Sequence, residues 1–285
     1  MVTNLGKLAV GLPVRPPGLH EVGRGAMFRA EDCVCCMRAN SPVSEREHPR
    51  TAIAVMLAGT LHVRGSHGSM LLGPGALLLK AARSTHEYRH VDDGGDRTLT
   101  FEYDDAMLAD AGIDDFDQLA IPGSVESAYA VVLAQRALWS GDREQLEEAA
   151  LAIAAVAVAA GRGSCRELTL VQARRVAQVL RYIAAHHAED CSLERLAELA
   201  GLSSFHFARE FRAITGQTPR QYVIAVRLRA AATALVATSA PITEIALAVG
   251  FGDLSHFITS FRRAFTVSPR RFRSERGRAS AALRR

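Results

Sequence analysis

Long apolar runs are missing from this chain of 285 residues. The most apolar stretch, LEEAALAIAAVAVAAGRG from Leu146, falls short of the ~20 apolar residues that a spanning helix needs, so no membrane partner is expected. The N-terminus, MVTNLGKLAVGLPVRPPG, has no sustained apolar core and soon meets prolines, which argues against a secretory signal. Cysteine is scarce: five residues, not spaced as the framework of a small secreted domain. A cytoplasmic location is therefore expected. Lysine is absent from Arg166 onward, where 19 arginines face nine acidic residues. The preceding part carries more acid than base, so the modest net charge of +4 conceals a basic half and an acidic half. Such a division suggests nucleic acid as partner for one half and something else for the other. No nucleotide-binding or Ser/His/Asp motif stands in a fitting context, so neither catalysis nor a cofactor is expected. With 48% hydrophobic residues, there is ample material for packed cores.

What the sequence does have is a repeat. The segment from Ser192 to Tyr222 and that from Pro241 to Phe272 follow one plan. Leu196 falls on Ile245, Ala197 on Ala246, Gly201 on Gly250 and Leu202 on Phe251. After one inserted residue, Phe207 falls on Phe257, Phe211 on Phe261, Arg212 on Arg262, Pro219 on Pro269 and Tyr222 on Phe272. Each copy reads helix, glycine turn, helix, the grammar of a helix-turn-helix. Two such units in one chain can reach successive major grooves of double-stranded DNA.

In the first unit Ser192 is a natural N-cap, Leu193, Leu196, Ala197 and Ala200 form the inward stripe, and Gly201 makes the turn. Ser203 caps the second helix, and Phe207 and Phe211 face the core. That leaves Ser204, Phe205, Ala208, Arg209 and Arg212 toward DNA, with Arg209 suited to a bidentate guanine contact. Phe205 reads either as partial core packing or as a contact to a thymine methyl. In the second unit Asp253, Leu254, Ser255, His256, Thr259 and Ser260 lie on the groove side, and Thr259 stands where the first copy has Arg209. Arg262 and Arg263 suit phosphates, which supply affinity without sequence information. The stretch Pro219 to Thr238 predicts one long connecting helix with proline at its first position.

The fold class expected is α+β in several domains. Residues 1–120 carry short strands punctuated by Gly and Pro, pointing to a small antiparallel β-barrel or sandwich. Residues 121–165 predict a helical pair and a linker, GRGSC, from Gly161 to Cys165. The pair has two readings that can hold together: a cover over the open side of the barrel, and a homodimer interface. Residues 166–278 form the all-α double helix-turn-helix, followed by a basic tail that can add phosphate attraction.

The words SLERLAELAGLS, HFAREFR, TGQTPRQY, RLRAAATALV, EIALAVGFGDLSHF, FRRAF and SPRRFR resemble the DNA-binding domain of the AraC/XylS family of bacterial transcription regulators. The resemblance covers about a hundred residues, from about 170 to 273. It implies a transcription factor, more often an activator that touches RNA polymerase. Two departures stand out: Thr259 where the family often has Arg, and Thr266 where Gly is frequent. The segments GTLHVRG, LLGPGALLL and STHEYRH are similar, more weakly, to the cupin-like domain with which such regulators bind a small-molecule effector and dimerise.

Two features of the acidic half stay open at this stage. His48, His62, His86 and His90 suggest a barrel metal, but HEYRH lacks the cupin pattern of two histidines one residue apart followed by glutamate. Cys33, Cys35 and Cys36 read as small strand residues, as a thiol sensor, or as zinc ligands with His48 as a fourth. A metal-dependent cupin enzyme fused to a DNA-binding domain is the alternative to a regulator. A methyl-accepting cysteine would need a second Cys pair for its zinc, which is lacking.

Overall fold

The computed structural model describes residues 12–104, 106, 108, 116, 120–160 and 167–274. The expected linker at 161–165 and the tail beyond Ser274 lie outside them. The first part contains β1 (Gly18–Arg24), β2 (Phe28–Cys35), β3 (Ser44–Glu47), β4 (Ala52–Gly59), β5 (Leu61–Gly65), β6 (Gly68–Leu72), β7 (Leu77–Lys80), β8 (Thr85–Arg89), β9 (Asp96–Tyr103) and β10 (Ala120–Ile121). They form a six-stranded sheet in the order β1-β2-β9-β4-β7-β10 and a four-stranded sheet in the order β3-β8-β5-β6. All pairings are antiparallel.

The strand AIAVMLAG, β4, shows why the layers stack as they do. A strand with no polar alternation must be covered on both faces. Ala54 and Met56 pack toward the small sheet with Val63, Leu72 and Tyr88. Ile53, Val55 and Leu57 turn the other way, onto two helices, α1 (Ala128–Ser140) and α2 (Arg143–Ala159). Asp142 caps α2 by accepting from the Gln145 N–H, as its position just past Gly141 leads one to expect. The helical pair thus covers the large sheet, which agrees with the first of its two readings. Leu151 and Val158 of α2 remain half exposed on its far side.

The C-terminal part is all helix: α3 (Leu170–His186), α4 (Leu193–Ala200), α5 (Ser204–Thr215), α6 (Pro219–Ala237), α7 (Ile242–Ala248) and α8 (Leu254–Phe265), with residues 269–274 also helical. α6 divides its length between two cores. Tyr222 and Val223 join α3, α4 and α5, while Leu228, Ala231, Ala232 and Leu235 join α7 and α8.

Neither core is closed by the helices alone. Leu71 and Val91 from the β part complete the first, and Ala128 and Val132 of α1 complete the second. Arg229 of α6 is buried and donates to Pro74 O at 2.8 Å and to Gly123 O at 3.2 Å. Two backbone carbonyls of the β part thereby accept from the connecting helix.

Candidate nucleic-acid interface

The two helix-turn-helix units repeat the same bonding at their turns. In the first, Gly201 ends α4 in the left-handed region at φ 64°, and the Leu202 N–H donates back to Ala197 O at 3.0 Å. In the second, Gly250 sits at φ 93° and the Phe251 N–H donates to Ala246 O at 2.9 Å. Ser203 caps α5 by accepting from the His206 N–H, and Asp253 caps α8 by accepting from the N–H groups of Ser255 and His256. The matched pairs Phe207 and Phe257, Phe211 and Phe261, and Tyr222 and Phe272 are all buried. Their rings touch in sequence: Phe207 on Phe211 at 5.5 Å, and Phe257 on Phe261 at 5.6 Å between centroids.

Burying those rings turns the opposite faces outward. On α5, Phe205, Arg209 and Arg212 are exposed, Ser204 and Ala208 are half-buried, and Ser203 is exposed at the cap. Phe205 is 73% exposed, which overturns its reading as partial core. Its ring meets the neighbouring His206 edge-on at 5.8 Å between centroids. On α8, Leu254, Ser255, His256, Thr259, Arg262 and Arg263 are exposed, with Asp253 at the cap and Ser260 half-buried.

The helices are not positioned equally. Glu210 on the flank of α5 accepts from Arg175 Nη1 of α3 at 2.8 Å, fixing the roll of the helix. On α8, Arg263 instead reaches Glu126 of the β part, Nη2 to Oε1 3.3 Å. Both side chains of that pair are well exposed, so solvent screens it and a phosphate can compete for the arginine. Among the described residues Arg209, Arg212 and Arg262 enter no ion pair.

Three details depart from the sequence reading. Leu193, assigned to the inward stripe, is 36% exposed, because α4 begins there and its first turn projects past the core. The helix expected from Ser124 starts at Ala128, since Ser124 and Ser127 spend their hydroxyls on local turns. Helix α3 was missed, although Thr169 and Gln172 form a reciprocal capping box that announces it. The buried role of Arg229 had no local signal, as its partners lie more than a hundred residues away.

The histidines of the acidic half do not form one cluster. His48 Nε2 lies 2.8 Å from Tyr88 Oη, and its ring is tilted against that of His86 at 5.0 Å between centroids. Burial pulls both imidazoles down, His48 to about 3 and His86 to about 4, so they are neutral. Among the described residues His48 joins no metal-sized group with the cysteines. Cys33 has its thiol pushed up to about 11, chiefly by burial, which disfavours a reactive thiolate there. His90 stands apart from the other three, between Cys35 and Asp96.

Comparison with known proteins agrees with the helix-turn-helix geometry. Residues 196–275 match a family described as a helix-turn-helix domain. The chain is 39% identical over 102 residues to the HTH-type transcriptional activator RhaS of Enterobacter sp. (strain 638), covering 36% of this chain and 37% of that one. It is 28% identical over 245 residues to RhaS of Salmonella schwarzengrund, covering 81% of this chain and 88% of the relative. Among solved structures, the DNA-binding domain of AdpA in complex with a target DNA is 31% identical, with a TM-score of 0.35 over 35% of this chain and 91% of that one. A regulator with an AraC-type DNA-binding domain from Chromobacterium violaceum is 30% identical, with a TM-score of 0.34 over 36% and 91%.

Proposed function

We propose that this chain, which belongs to the AraC/XylS family of DNA-binding transcription regulators, activates transcription by laying α5 and α8 in successive major grooves of one duplex. The observation that carries this reading is the pair of outward helix faces joined by α6. That connector has 19 residues and spans about 28 Å at ~1.5 Å per residue. Equivalent groove faces on DNA recur every ~34 Å, so a rod of this length can hold two reading heads in step.

In this reading Arg209 pairs with guanine through two hydrogen bonds, and Phe205 rests on a thymine methyl. Ser203, Ser204, Ala208 and Arg212 complete the first contact surface. The second unit has Thr259 in place of the arginine, so Asp253, Leu254, Ser255, His256, Thr259 and Ser260 read fewer bases. Arg262 and Arg263 hold phosphates. Activation is supported by the relatives named as transcriptional activators, and contact with RNA polymerase is what the family resemblance implies. The β part serves as the effector-binding and dimerising half, with Leu151 and Val158 at the homodimer face. We read the chain as a regulator acting in the bacterial cytoplasm and not as an enzyme.

Selection from random duplexes by the purified full-length chain tests this. One motif should emerge, with a sharply defined half-site for α5 and a looser one for α8. A chain that enriches no sequence at moderate salt would refute the reading. A reporter driven from the selected site should rise, not fall, when the chain is expressed.

A further inference from the structure

The acidic half holds a group of side chains that DNA binding does not use. Cys35 is the last residue of β2 and Asp96 the first of β9, and the two stand opposite each other in the antiparallel register. His90 follows β8 and folds back over them. Its Nε2 lies 3.4 Å from Cys35 Sγ and 2.7 Å from Asp96 Oδ2. His90 and Asp96 are buried, at 6% and 4% exposure, and Cys35 is half-buried.

We propose that Cys35, His90 and Asp96 form a binding site for a divalent transition-metal cation of the zinc class, with a fourth position open to water or an exogenous ligand, and that its occupancy governs how the first helix-turn-helix unit is seated.

The donor set is the first argument. One thiolate, one imidazole and one carboxylate, brought together at strand ends, are all zinc ligand types. All three ligand atoms lie within 4.8 Å of one another. In a tetrahedral site with ordinary bond lengths, sulfur and nitrogen stand about 3.5 Å apart. The Cys35–His90 separation is close to that value, and Asp96 has to retreat from His90 by about 0.7 Å to reach the ~3.4 Å that tetrahedral nitrogen and oxygen ligands keep. Binding of a cation would release the thiol proton to solvent.

The loop is built to keep the three together. Gly95 has φ 67°, and a Cβ there would lie 2.3 Å from Cys35 O. Only glycine lets residues 91–95 pass so close to the end of β2. Asp92 tightens the same loop, accepting from the Gly94 N–H at 2.7 Å and from Thr60 Oγ1 at 2.5 Å.

The second half of the proposal rests on the residues that follow His90. Val91 is buried in the same core as Val176, Leu180 and Phe211 of the first unit. Asp92 Oδ2 is 3.5 Å from Arg181 Nε of α3. A shift of His90 toward a cation therefore moves Val91 and Asp92, two of the residues that join α3 to the β part. This coupling presupposes the DNA-binding role, whereas the metal site does not.

Titration of the reduced, metal-free full-length chain with Co2+ provides the test. One equivalent should bind with a thiolate-to-metal charge-transfer band, and Zn2+ should displace it. Cys35→Ser should abolish the band and Cys36→Ser should keep it. Asp96→Asn, nearly isosteric, should weaken binding at least about tenfold should Cys35→Ser prove unstable. No band in the native chain, or a band undiminished in Cys35→Ser, would overturn the site. Zn2+ should also change the dissociation constant of the full chain for its selected DNA by about fivefold or more. A metal-loaded chain that binds its DNA as the metal-free chain does would remove the coupling and leave the site standing.

Discussion

The two helix-turn-helix units share a skeleton and differ in what they show to solvent. Leu196, Ala197, Phe207, Phe211 and Tyr222 in one are matched by Ile245, Ala246, Phe257, Phe261 and Phe272 in the other, all buried. Their outer faces have diverged. The first carries Phe205 and Arg209 and is braced by the Arg175–Glu210 pair. The second carries Ser255 and Thr259 and leans on the β part through Arg263. Packing constrains the inner face of each unit alike, whereas the outer face answers only to its partner. A duplicated fold can therefore divide its labour, one copy reading bases and the other supplying grip.

The largest effect should come from the shared skeleton. Phe207→Ala and Phe257→Ala should each destabilise the chain by about 3–5 kcal/mol, as buried rings of this size do. Denaturant unfolding checks this. A cost below about 1 kcal/mol in one copy alone would break the equivalence of the units.

Next comes the outer face. Arg209→Ala should cost about 1–3 kcal/mol of specific DNA binding and relax one base position. Thr259→Ala should cost well under that in the same assay. Equal losses, measured by titration against selected and single-mismatch duplexes, would erase the proposed division.

The helix ends differ as well. The residue after α5 is Gly216 at φ 76°, and the residue after α8 is Thr266 at φ 60°. A β-branched residue is strained in that region, while glycine is not. Thr266→Gly should therefore stabilise the chain by about 0.5–1 kcal/mol, the gain being reduced by glycine's freedom in the unfolded chain. Thermal unfolding would show a small rise; a fall would mean that the Thr266 side chain contributes packing.

The smallest effect is electrostatic. Arg262→Ala should weaken all DNA sequences alike and reduce the slope of log affinity against log salt by about one unit. A change confined to one sequence would make Arg262 a base-reading residue instead.

The helical half was legible because its signals are local. Ser192, Ser203 and Asp253 cap where expected, and phenylalanines at i and i+4 mark the buried face of each second helix. The outer face followed by subtraction. The strand half yielded its strands for the same reason, since Gly and Pro punctuate them: Gly59 ends β4 and Gly73-Pro74-Gly75 lies between β6 and β7. Apart from α3, what stayed hidden was long-range. Arg229 finds its carbonyls, and Val91 its place in a helical core, only once the halves dock. The partners of Cys35 stand 55 and 61 positions away, brought together by β2–β9 pairing that no spacing rule announces. Phe205 was ambiguous in sequence because an aromatic on a short helix can serve either face, and its exposure decides the matter.

The account rests on two unequal reading heads held at a fixed pitch by α6. Its most direct test is the affinity of the full-length chain for duplexes in which the two selected half-sites are moved apart one base pair at a time. Binding should peak where the half-sites lie about 10–10.5 base pairs apart and fall by tenfold or more when they are offset by half a turn. Affinity indifferent to the spacing would contradict it, since the second unit would then not be docking in register with the first.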